Sequence, residues 1–205
     1  MIMKTKLFTL IFGVILFASC QQREMKISRS DFSVVTKMTD FSPAYIIKDE
    51  DGKVEIKKNS LIGNTHWVLS VDRDLTLNEV APFLHKLTEK KHKVGGMHED
   101  TKDIYFVYSD TVHKQNAYVK VPFKTIDVEV PSPPKKESLN YFNVMVESYP
   151  NFKKSVSEFL EKNDNEIKLH ITFDKNISTE DFVNILVEIQ KQNLNNRIDS
   201  FTSFL

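Results

Sequence analysis

Two segments of the chain, 102 residues apart, carry the same pattern, and that repeat constrains the fold more than any other feature. Trp67-Val68-Leu69-Ser70-Val71-Asp72-Arg73-Asp74-Leu75-Thr76 falls on Leu169-His170-Ile171-Thr172-Phe173-Asp174-Lys175-Asn176-Ile177-Ser178. Each begins as a run rich in β-formers, ends in an aspartate followed by a basic residue, and reaches a hydroxyl side chain where helical spacing takes over. The helices overlay as well, with Glu79 on Asp181, Phe83 on Ile185, Leu84 on Leu186 and Leu87 on Ile189. Thr76 with Glu79, and Ser178 with Asp181, have the spacing of helix-capping pairs. A strand, a turn and an amphipathic helix, met twice, predict an α+β fold of two small units in tandem, related by duplication.

The other elements follow from local chemistry. Ala44–Lys48 and Lys53–Lys57 flank the turn Asp49-Glu50-Asp51-Gly52 and read as a hairpin. The helix after His66–Asp72 covers Leu77 to His92, with Val80, Phe83, Leu84 and Leu87 on one face; Pro82 argues for a later start or a kink. Lys93–Met97, Ile104–Ser109, Ala117–Pro122 and Thr125–Val130 read as strands. Pro131-Ser132-Pro133-Pro134-Lys135-Lys136 favours extended chain and marks a boundary. Beyond it the order is β-α-β-α-β: Tyr141–Glu147, Phe152–Lys162 with Phe152, Val156, Phe159 and Leu160 inward, Ile167–Asp174, Thr179–Gln192, and Arg197–Phe204. The expected organisation is a leader at 1–19, a tether at 20–40, a first unit at 41–130, a linker at 131–136 and a second unit at 137–205. Within the tether, Phe32, Val34 and Val35 have the character of an added edge strand.

The leader is an address. Lys4 and Lys6 precede an almost unbroken apolar run from Leu7 to Phe17, and Ala18 and Ser19 are small residues before Cys20. The ending resembles a bacterial lipobox, with Phe17 where leucine is commoner. Cys20 is the chain's one cysteine, so it has no disulfide partner within the chain, and lipidation gives it a role. A triply acylated cysteine exceeds the two signals that stable anchoring needs. Gln21 follows it, without the aspartate of inner-membrane retention, which favours the outer membrane facing the periplasm. The mature chain then has 26 basic and 28 acidic residues, a net charge of −2. That near-neutral balance excludes a wholesale nucleic-acid face, and five glycines leave little for phosphate-cradling loops.

Chemistry has few candidates. Asp72 and Asp174 end equivalent strands; two carboxylates brought close perform acid–base work, whereas separately each caps a turn. His85 and His92 lie two helical turns apart, about 10 Å, too far for one ion. His92 and His98, with Glu99 and Asp100, would need to converge to bind metal, and no paired-cysteine or HExxH spacing supports it. Lys90-Lys91-His92-Lys93 is a basic run that reads as a solvated helix end or as a contact for headgroups or peptidoglycan carboxylates. No cofactor is expected.

VDRDLTLNEVAPFLHKLTEKKHKVG and FDKNISTEDFVNILVEIQKQNLNNRI, with the hairpin YIIKDEDGKVEI, resemble the periplasmic domain of the ExbD/TolR biopolymer-transport family. The resemblance implies the fold and a periplasmic contact role. That family carries an N-terminal transmembrane helix with a functional aspartate inside it; this chain has a cleavable leader without an acid, so the proton-driven role is not implied. The expected function is a non-enzymatic lipoprotein that binds an envelope protein complex or peptidoglycan by strand addition, with Val107, on Ile104–Ser109, at the accepting edge. The alternative is an envelope enzyme or metal protein using Asp72, Asp174 or the His92–His98 loop.

Overall fold

A computed structural model describes residues 25–58, 60–95, 102–121, 141–161 and 167–203. The leader, Cys20, the Pro131–Lys136 linker, His98 and the expected strand Thr125–Val130 lie outside the described residues. Among the described residues, two sheets and three helices make an α+β fold. The larger sheet holds β1 (Arg29–Ser30), β2 (Phe41–Lys48), β3 (Val54–Lys58), β4 (His66–Val71), β5 (Ile104–Asp110) and β6 (Gln115–Lys120). The smaller is β7 (Tyr141–Val146), β8 (Lys168–Phe173) and β9 (Ile198–Ser203), all parallel. Helix α1 (Leu77–Gly95) joins β4 to β5, α2 (Tyr149–Glu161) joins β7 to β8, and α3 (Thr179–Lys191) lies between β8 and β9.

Local chemistry explains most boundaries. Gly52, at φ +81°, closes the β2–β3 hairpin in a backbone region that L side chains rarely adopt. The Glu79 carboxylate accepts from Thr76 N at 2.8 Å, so α1 starts at Leu77, and Pro82 sits exposed in its second turn. Asp181 N donates to Ser178 Oγ at 3.0 Å and starts α3. Two expectations need correction. Lys93–Gly95 continues α1 and is not a strand; the inward phase of Leu84, Leu87 and Lys91 carries the helix on to the glycine. Leu160, expected inward, is 38% exposed, while Phe152, Val156 and Phe159 are buried.

The turns that precede α1 and α3 meet through hydrogen bonds related in pairs by the 102-residue offset. Thr76 and Ser178 form an antiparallel bridge. Leu77 N donates to Ile177 O at 2.8 Å, and the offset counterpart, Thr179 N to Leu75 O, is 2.7 Å. Asn78 N donates to Lys175 O at 2.9 Å, and its counterpart, Glu180 N to Arg73 O, is 3.3 Å. The buried core is continuous across both halves. Phe182 of α3 stands edge-on to Phe173 of β8 at 5.0 Å and to Phe106 of β5 at 6.0 Å. Buried positions almost encircle α3, as expected of a helix packed on more than one side.

The stretch read as a tether is part of the fold from Met25 onward. Arg29 and Ser30 pair with Ser109 and Asp110, and Arg73 N donates to Lys26 O. Tyr108 Oη donates to Phe32 O at 3.0 Å and accepts from Val34 N at 2.9 Å; burial pushes its pKa up to about 12. Val35 bridges Tyr118 at the outer edge of β6, as an added edge segment.

Candidate functional site

The two aspartates singled out by the repeat occupy matching turns. Asp74 N donates to Asp72 Oδ1 at 3.2 Å, and Asn176 N donates to Asp174 Oδ1 at 2.7 Å. The carbonyls of both residues accept from the residue three positions on, Leu75 and Ile177, each at 3.1 Å. Each carboxylate thus closes its own Asx turn. The side chain of His92 and all of His98 lie outside the described structure. Among the described residues no three His, Cys, Asp or Glu side chains are grouped to hold a metal.

A third aspartate has the densest set of partners. Asp110, 0% exposed, accepts from Ser33 Oγ, from Val112 N at 2.8 Å and from His113 N at 2.9 Å, and its Oδ2 lies 2.8 Å from His113 Nδ1. The Ser33 hydroxyl first, then the His113 amide, hold its carboxyl far below the usual carboxylate range. Serine, aspartate and histidine meet here in an order unsuited to nucleophilic catalysis. A triad places histidine between the other two so that it can take the serine proton; here the aspartate is central. The cluster instead clasps the N-terminal segment to the β5–β6 turn. Because the folded pKa is depressed, the stabilisation is complete above the unfolded value near 4 and is lost as pH falls below it. Thermal melts of the wild type should lose midpoint between about pH 4 and pH 2, and Asp110→Asn should melt lower at pH 7 with a flatter acid limb. An acid limb unchanged by the substitution would assign the loss to other carboxylates. Sequence reading passed over this residue because Ser33 is distant in the chain.

Lys91, read as part of a solvated basic run, is 6% exposed. Its Nζ donates to Thr65 O at 2.6 Å and Gly63 O at 2.7 Å and sits 4.7 Å from the centre of the Trp67 ring. Burial lowers its pKa. The inward phase after Leu84 and Leu87 was the available signal. Lys91→Met keeps the stem but leaves two carbonyls without their charged donor; it should cost about 2 kcal/mol and lower Tm by roughly 4–8 °C. An unchanged melt would mean that water replaces the ammonium at those carbonyls.

A polar cleft of about 330 Å³ opens where the halves meet. Arg29 and Lys153 bring cations to it, Asp31 and Glu180 anions, and Ser30, Thr111, Tyr149 and Asn184 neutral polar groups. Glu180 pairs with Arg29 at 3.1 Å and Arg73 at 3.5 Å, and Tyr149 Oη donates to Glu188 at 3.0 Å. Burial and then Glu188 push the Tyr149 phenol well above its ordinary range.

The sheet edges differ in kind. β5 is central, with β4 and β1 along one side and β6 along the other. Val107 is therefore not at an accepting edge: this corrects the sequence expectation, and the reason is that Gln115–Lys120 folds back onto it. β3 is an edge carrying Glu55, Lys57 and Lys58, charges that discourage further pairing. β7 pairs only with β8 among the described residues and carries no charge. Tyr141 and Met145 on its outer face are 45% and 60% exposed.

Comparison with family models, curated proteins and solved structures finds no match to this chain.

Proposed function

We propose that the chain is a non-enzymatic lipoprotein of the cell envelope, anchored through Cys20 in the outer membrane and facing the periplasm. Its two ExbD/TolR-like units bind an envelope protein complex or peptidoglycan. The observation that carries the reading is the uncharged strand β7, which pairs only with β8 among the described residues. Such an edge offers unpaired backbone groups to an extended partner strand, with Tyr141 and Met145 supplying side-chain contact. The offset hydrogen bonds between Arg73–Asn78 and Lys175–Glu180 support the reading of the units as repeats. On this reading Asp72 and Asp174 are turn carboxylates and perform no chemistry.

A photo-crosslinking residue at Met145, introduced into the anchored protein in cells, should capture a discrete envelope partner. The same residue at Ile62 should not, and adding Tyr141→Lys should abolish capture at position 145 without changing the melt. Equal capture at both sites, or indifference to the lysine, would sink strand addition at β7. The anchor is tested separately. Cys20→Ser should lose the lipid mass increment and leave the membrane fraction; an unaltered mass difference and unaltered fractionation would overturn the lipoprotein reading.

A further inference from the structure

We propose that one end of the molecule docks on phosphatidylethanolamine headgroups of the leaflet that holds its anchor, an inference that rests on the lipoprotein reading. The length of chain between anchor and fold is its first support. Met25 already belongs to the described structure, and the chain from Cys20 to Met25 spans at most about 18 Å whatever its conformation. A tether reaching to residue 40 would allow roughly 70 Å. The end of the fold nearest Met25 is thus held beside the headgroups, and what that end displays can be read directly.

Parallel β2, β4 and β5 share one orientation, so their C-terminal ends lie together. Lys26 meets Arg73 just beyond β4, and Arg29–Ser30 pairs with the last residues of β5. Thr111 N donates to Ser30 O at 2.9 Å, which seats the β5–β6 turn at that same end. At the tip of the turn Val112 is 62% exposed, between Thr111 and His113. An aliphatic side chain there has no core to serve, and it fits the boundary between headgroup and acyl chain. The polar cleft opens beside it, sharing Arg29, Ser30 and Thr111.

The cleft's charges select the headgroup. Arg29 and Glu180 already pair with each other at 3.1 Å, so Lys153 is the cation that matches a phosphodiester and Asp31 the anion that matches an ammonium. A lipid carrying both charges, with an ammonium that can donate hydrogen bonds, complements Lys153 and Asp31 together. Phosphatidylglycerol lacks the cation, and phosphatidylcholine has one that cannot donate.

Cys20 is the chain's one cysteine and is occupied by lipid on this reading, so a second cysteine can be labelled uniquely. The full anchored protein, with Val112→Cys or Ile62→Cys carrying an environment-sensitive fluorophore, is reconstituted into vesicles containing headgroup spin-labelled lipid. Ile62 lies in the loop before β4, about 20 Å of strand away from the docking end. In phosphatidylethanolamine–phosphatidylcholine vesicles the label at 112 should be quenched and the label at 62 should not. Quenching at 112 should weaken in phosphatidylcholine alone, in phosphatidylglycerol–phosphatidylcholine, and in Lys153→Gln, a change that breaks no ion pair with a described residue. Equal quenching at the two sites, quenching at neither, or quenching at 112 that ignores both headgroup and Lys153 overturns the docking while leaving the anchor standing. A missing lipid mass increment in the starting protein removes the lipoprotein reading and the docking together.

Discussion

Phe182→Ala should destabilise both halves of the molecule at once, by about 3–5 kcal/mol. The ring is 1% exposed and stands edge-on to Phe106 in the larger sheet and Phe173 in the smaller. Its removal leaves a cavity that neither sheet can close without drawing away from the other. Aromatic edge contacts are lost in addition to buried area. Trp67, the chain's one tryptophan, lies fully buried on β4 and reports on the first half. Its fluorescence midpoint should fall with the far-ultraviolet circular dichroism midpoint, by roughly 10 °C, in one transition. A Trp67 midpoint that stays in place while part of the dichroism melts early would mean that the halves unfold independently. The paired turns at Thr76 and Ser178 would then be a contact between two separate cores.

Val107→Pro should be comparably damaging, and damaging to the fold before any binding. Val107 is 8% exposed, on a strand flanked by β4 and β1 on one side and β6 on the other. A proline there removes the residue's N–H from the sheet and forces its ring among packed neighbours, a loss of about 3 kcal/mol or more. Soluble yield and the cooperative melt should both collapse. A Val107→Pro protein that melts normally but loses a partner would restore β5 as the accepting edge. By contrast Tyr141→Lys, on exposed β7, should leave the melt within about 0.5 kcal/mol of wild type.

Legibility followed the range of the interaction. The starts of α1 and α3 were readable because a capping hydroxyl and its acidic partner are three residues apart, and the Asp49–Gly52 turn because it needs a positive φ; α2, without such a pair, starts at Tyr149, three residues before the expected Phe152. Lys91 was misread because its acceptors, Gly63 and Thr65, are 28 and 26 positions away, and a lysine in a basic run looks solvated until the loop carrying those carbonyls is placed over it. Asp110 was passed over for the same reason: Ser33 lies 77 residues before it. The run Ile104-Tyr105-Phe106-Val107-Tyr108 did hold a signal against the edge assignment, since nearly continuous apolar character marks a strand covered on both faces.

The amino-acid order by itself determined the α+β class, the positions of most elements, the matching aspartate turns, and the expectation of an anchor at Cys20. Those rest on contacts closed within a few residues or on periodicity. Only the tertiary structure decided that β5 is central and that β7 pairs only with β8 among the described residues, that the chain from Met25 onward belongs to the fold, and that the two turns hydrogen-bond to each other. Strand order, and the meeting of residues a hundred positions apart, depend on which faces find one another when the core closes. No local pattern records that choice, because an apolar face is complementary to any other until shape, register and hydrogen bonds select one.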